Sequence, residues 1–266
     1  MKMVSSGFSN STINFNTHEL KLLIISVLIV TFAFAFDDGR SNFSTIHWLL
    51  NFLKTFVVVL VAFLIHQIGH KWMAQRYGAT TEYRTWGIQR YGFAKRTKCP
   101  MRFNFFGKGY VLTYIPLGLL LSFFVTLLSL GKGYFLSVER FEIFEEPLRR
   151  VGRSFKNIGG YETGIIALGG PLANIFFAAV LQTFSPTFFR EVILINALIA
   201  LFSFIPFSDL DGAKIFFGSN FLYIFGFSFS VVFFVLSFFA GGITSVLLSG
   251  SFSVVIVALS MYWRFS

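Results

Sequence analysis

Apolar runs recur from Leu20 to the C-terminus: Leu20–Phe36, Trp48–Ile65, Tyr110–Leu130, Ile165–Leu181, Val192–Phe207, Phe221–Ala240 and Ile243–Trp263. In hydrocarbon a chain must satisfy its own backbone polar groups, so runs of about 20 apolar residues read as membrane helices. The polar stretches between them are too short to form a separate soluble domain. Composition agrees, with 55% hydrophobic and 13% charged residues and 39 phenylalanines among 266 residues. The expected fold class is an all-α polytopic membrane protein of about six transmembrane helices, with a small membrane-associated β element and one re-entrant segment. Residues 1–266 read as a single integral membrane domain with a C-terminal helix pair at 221–263 and no cleaved leader.

A formal charge of +10 raises the question of nucleic acid, but the charge is localised. Lys71 to Lys108 holds nine Lys/Arg against the one acid Glu82. Such a block beside a membrane helix sets topology and attracts anionic lipid, so the expected partner is the lipid bilayer and not nucleic acid. The positive-inside rule puts residues 71–109 in the cytoplasm. The single cysteine, Cys99, excludes an internal disulfide. Thr80–Tyr91 mixes Thr, Tyr, Trp and Ile with polar residues and reads as short strands. Residues 131–160, with six Lys/Arg, the acids Glu139, Glu142, Glu145 and Glu146, and Pro147, read as a polar loop with short amphipathic pieces.

The chemistry-bearing residues begin with His66-Gln67-Ile68-Gly69-His70 at the end of the second run. Histidines at i and i+4 share one helical face and suit a single tetrahedral metal ion. The pair alone is equally well read as two interfacial histidines closing a helix. Asp211, in Ser208-Asp209-Leu210-Asp211-Gly212 after the fifth run, is a candidate third ligand; taken alone it is also an ordinary turn or cap acid.

Together these segments resemble the site-2 protease family of intramembrane metalloproteases, with its H-E-x-x-H zinc motif and a later L-D-G. The matches are His66, His70 and Leu210-Asp211-Gly212, with Pro206 four residues before the leucine. Ala167-Leu168-Gly169-Gly170-Pro171-Leu172-Ala173-Asn174 resembles the family's G-P-x-x-N helix start. The resemblance spans about residues 48–215, with the motifs in the family's order. It implies one Zn2+ per chain on His66, His70 and Asp211, a transmembrane protein or peptide as substrate, and Asn174 as a substrate-binding residue. It also implies a multi-pass protein of the cell membrane with its zinc site toward the cytoplasm, and a strand at 80–91 that pairs with unwound substrate.

Two positions depart from the family pattern. Ser203 stands where an asparagine is usual, and Gln67 occupies the position of the general-base glutamate. A carboxamide cannot take a proton as a carboxylate does, so the metal site is expected to survive while turnover collapses. Neither Glu82 nor Glu162 is spaced to replace it. The chain is then either a natural pseudoprotease, binding membrane proteins without cleaving them, or a Glu→Gln form of an active enzyme. A metal ion transporter is the remaining class, and the repeated halves usual in transporters are not visible.

Topology follows from parity. If the second and fifth runs both end at the cytoplasmic metal, residues 71–109 and 131–160 share one side. Tyr110–Leu130 must then enter the membrane and return, broken at Pro116 and Gly118, unless it is a seventh span.

Overall fold

The computed structural model describes residues 13–40, 42–89, 100–105, 108–112, 114–145 and 158–265. Cys99, Pro147 and the basic residues from Arg90 to Lys98 lie outside them. Among the described residues, eight helices and four strands follow in the order α1 (Thr17–Ala35), α2 (Thr45–Arg76), β1 (Ala79–Thr85), β2 (Met101–Phe105), β3 (Lys108–Leu112) and α3 (Leu117–Leu128). The second half runs β4 (Glu139–Glu145), α4 (Gly160–Phe184), α5 (Arg190–Phe202), α6 (Asp211–Gly218), α7 (Asn220–Leu236) and α8 (Gly242–Phe265).

Among the described residues, four helices are long and apolar enough to cross a membrane: α1, α2, α4 and α8. This is the make-up of a membrane protein. Six of the seven expected runs carry or overlap a single helix, but α5 has only 13 residues and α7 has 17. The expected Tyr110–Leu130 run is divided. Its first residues finish β3, Pro116 is the N-cap, and α3 has 12 residues. At 1.5 Å per residue α3 reaches about 18 Å, short of a hydrocarbon core of about 30 Å.

Helices α2 and α4 meet through bare backbone. A Cβ on Gly69 would overlap Gly169 O, and one on Gly169 would overlap Gly69 O, so neither position accepts a side chain at this separation. Small residues give membrane helices this close approach, where van der Waals contact stands in for the hydrophobic effect. At the other face of α2, Lys71 Nζ pairs with Glu19 Oε1 at 2.9 Å and donates to Thr81 O at 2.6 Å, both charges buried. The pair fixes the start of α1 and the strand β1 to the end of α2.

Residues 131–160 are not simply a polar loop. Glu139–Glu145 forms β4, antiparallel to β1, with Thr85 opposite Glu139, Tyr83 opposite Phe141 and Thr81 opposite Ile143. The charge count hid a strand because its alternation is carried by glutamate and phenylalanine, with Glu139 and Phe141 buried and Arg140 between them half-exposed. The 131–160 stretch is also not confined to one end of the molecule. Gly131 lies against Phe36 and Asp37, where α1 ends, while β4 pairs with β1 near the start of α1. Helix α3 runs beside α1, Phe123 stacking on Phe32 with ring centroids 5.5 Å apart, and the chain returns in extended form past Tyr134, which packs on Phe34. Residues 114–138 thus leave the β1 end, reach the far end of α1 and come back.

Candidate metal centre

Helix α2 carries His66 and His70 on one face, and both rings are fully buried with centroids 4.6 Å apart. They turn toward α4 at the place where it has least bulk. A Cβ on Gly170 would collide with Nε2 of both histidines, so only glycine leaves them room. His70 Nδ1 donates to Ile166 O on α4 at 2.9 Å, which orients the ring with Nε2 toward Asp211.

Asp211 arrives from the first turn of α6. Leu210 is its extended N-cap, and Gly212 is required because a Cβ there would overlap the backbone of Phe204 and Ile205. Ser208, at φ 54° in the left-handed region, turns the chain just before it. Tyr223 of α7 donates its hydroxyl to Phe204 O at 3.0 Å, and Ser203 Oγ donates to Ile199 O at 2.8 Å. The hydroxyl at the position of the expected asparagine therefore closes the end of its own helix.

Asp211 Oδ2 lies 3.1 Å from His66 Nε2 and 3.0 Å from His70 Nε2. Among the described residues, His66, His70 and Asp211 place their ligand atoms within 4.8 Å of one another, all buried. Asp211 Oδ1 and His66 Nδ1 have no protein hydrogen-bond partner. Two imidazole nitrogens and one carboxylate oxygen converging in a buried site suit a zinc ion that keeps a position for water or substrate.

Asn174 lies one helical turn beyond Gly170 on α4 and shares its face. It is fully buried, and neither amide atom has a protein partner. Buried amides are normally satisfied by protein or by ordered water.

Gln67 is buried beside His66, and its Nε2 donates to Glu139 Oε2 at 2.8 Å. The other oxygen, Glu139 Oε1, is 3.5 Å from His66 Nε2. Glu139 is the site residue that sequence reasoning missed. It is 72 residues from Gln67, and the available signal was the alternating Glu139-Arg140-Phe141-Glu142 pattern of a strand with one face buried. The same face brings Phe141 against His70, ring centroids 4.4 Å apart, while Lys214 Nζ donates to Phe141 O at 2.6 Å. Burial pushes the Glu139 carboxyl well above its usual range, the neighbouring Asp211 charge adds to this, and the Gln67 hydrogen bond opposes both. Burial also acts to raise Asp211, but the His70 charge and hydrogen bonds from both histidines hold it below the usual carboxylate range. The two carboxyl groups are driven apart in proton affinity.

Strand β1 does not offer the edge expected for substrate. Tyr83 N donates to Glu19 Oε1 at 2.7 Å and Thr81 O accepts from Lys71, so the side of β1 turned from β4 is engaged by α1 and α2. Alternation in an antiparallel pair then points the backbone groups of Phe141 and Ile143 away from β1, along the outer edge of β4, where Phe141 O already accepts from Lys214.

No family model matches the chain, and no solved structure matches it. A protein of Methanocaldococcus jannaschii bearing the name "Putative zinc metalloprotease MJ0611" is 27% identical over 214 residues, covering 77% of this chain and 86% of that protein.

Proposed function

We propose that this protein is an intramembrane zinc metalloprotease of the site-2 type, hydrolysing peptide bonds in transmembrane proteins or peptides. The observation that carries this reading is the buried convergence of His66, His70 and Asp211 at the side of a membrane-length helix. The name of the archaeal relative supports it. One zinc per chain, held by these three residues, would polarise the scissile carbonyl and acidify a water. Asn174 then serves the substrate's polar groups with its unpartnered amide. An extended substrate pairs along the outer edge of β4, next to Glu139 and His70, instead of on β1. The molecule sits in the cell membrane with the metal end toward the cytoplasm, as the positive-inside rule favours.

Gln67 favours a second reading, a relative that holds membrane proteins without cutting them. Metal analysis and cleavage assays on the purified protein test the main one. One zinc per chain is expected, lost on combining His66→Ala with Asp211→Asn, together with zinc-dependent cleavage of a membrane-spanning peptide by the protein or by its Gln67→Glu form. Full zinc occupancy in that double variant would sink the assignment.

A further inference from the structure

We propose that Glu139 is the general base of this protein, its carboxylate standing in for the one that Gln67 lacks. The inference rests on the protease reading and deepens it.

Three observations carry it. The first is position: Glu139 Oε2 is 2.8 Å from Gln67 Nε2, so the carboxylate sits one hydrogen bond from where a glutamate at 67 would place its own. The second is aim. With Oε2 engaged by Gln67, Oε1 is the oxygen nearer the metal donors, 3.5 Å from His66 Nε2. The third is burial. Glu139 is only 5% exposed, and a carboxyl group is rarely placed at such depth without a partner or a task. Its partner is the amide at position 67, a pairing that a glutamate there would turn into two opposed carboxylates. Gln67 and Glu139 thus form a complementary pair, with glutamine as the positioning donor and glutamate as the acceptor. Glu139 is outside the group of three whose ligand atoms lie within 4.8 Å of one another.

The step balances with water alone. A water oxygen forms the bond to the scissile carbonyl carbon as one of its protons passes to Glu139. The C–N bond then breaks, its electron pair stays on nitrogen, and Glu139 returns the proton there. The products are an amine and a carboxylic acid, which gives its remaining proton to solvent or to the amine, and Glu139 is again a carboxylate.

The test compares the full-length protein with Glu139→Gln, Gln67→Glu and Asp211→Asn in proteoliposomes containing a membrane-spanning peptide. Bound zinc is measured in each, along with affinity for acetohydroxamate, whose hydroxyl proton needs an acceptor beside the metal. Glutamine at 139 keeps the shape and can still accept from Gln67, so the fold should survive, and retained zinc verifies this. The protein with Gln67 should cleave. Glu139→Gln should slow cleavage by about 10²–10⁴-fold and weaken acetohydroxamate binding with zinc unchanged, whereas Asp211→Asn should lose zinc. Cleavage or acetohydroxamate affinity insensitive to Glu139→Gln would overturn the inference. Loss of zinc in Glu139→Gln would also overturn it, by making Glu139 a ligand. Cleavage that appears only with Gln67→Glu would overturn it and leave the protease reading standing. No cleavage in any zinc-loaded form would bring down both.

Discussion

Single atoms decide most at Gly170. The two imidazoles occupy the space that any Cβ at this position would need. Gly170→Ala is therefore expected to displace a histidine, cost about 1–3 kcal/mol of stability and lower zinc content below one per chain, read by metal analysis and thermal unfolding. Gly69 and Gly169 make a similar demand through backbone contact, but one that changes helix separation instead of touching a ligand directly. Asn174 is the opposite case. No protein atom depends on its amide, so Asn174→Ala should leave zinc content and thermal stability nearly as they were. If the amide meets the developing charge on the substrate, kcat for peptide cleavage falls by about 10²-fold; unchanged kcat would remove Asn174 from the site.

At the scale of elements, the short strand β4 joins the parts of the site. One face delivers Glu139 to Gln67 and Phe141 to His70, one edge is laddered to β1, and the other edge is the place we assign to substrate. Alternation separates these jobs. The backbone N–H of Ile143 points away from β1, so Ile143→Pro removes an outer-edge donor without removing a bond of the β1 ladder. The expected result is zinc retained at one per chain with cleavage of membrane-spanning peptides reduced at least 10-fold. Unimpaired cleavage would place the substrate elsewhere. Short soluble peptides that need no added strand should be affected less.

For the whole molecule, the excursion of residues 114–138 links two ends that a loop reading keeps apart. Gly131 lies with Phe36 and Asp37, whereas β4 lies with β1 and against His70. Ser137 is buried, its hydroxyl donating to Phe202 O at 2.7 Å, and makes a poor reporter; Lys132 is exposed. In a Cys99→Ser background, Lys132→Cys and Arg40→Cys should both react with a membrane-impermeant thiol reagent on intact cells. Protection of Lys132→Cys until lysis, with Arg40→Cys labelled, would put the turn after α3 on the metal side and defeat this arrangement. Parity of the apolar runs had placed 131–160 on one side, because counting runs treats the segment between two of them as a unit and cannot register that its first residues lie at the other end of α1.

Much of this was legible in the sequence because the governing physics is local. Apolar runs set the helices, and the i/i+4 spacing put His66 and His70 on one face. Asp211 was reachable through its neighbours in the chain, since Leu210 and Gly212 flank it where α6 begins. What tertiary structure alone decided concerns partners distant in sequence. Nothing local to Glu139 says that 72 residues earlier a glutamine lacks a carboxylate, and nothing local to β1 says that Glu19 and Lys71 will occupy its free edge. Charge patterns report how many acids a segment holds. Which of them leaves water is decided only when strand pairing turns one face of β4 into the site.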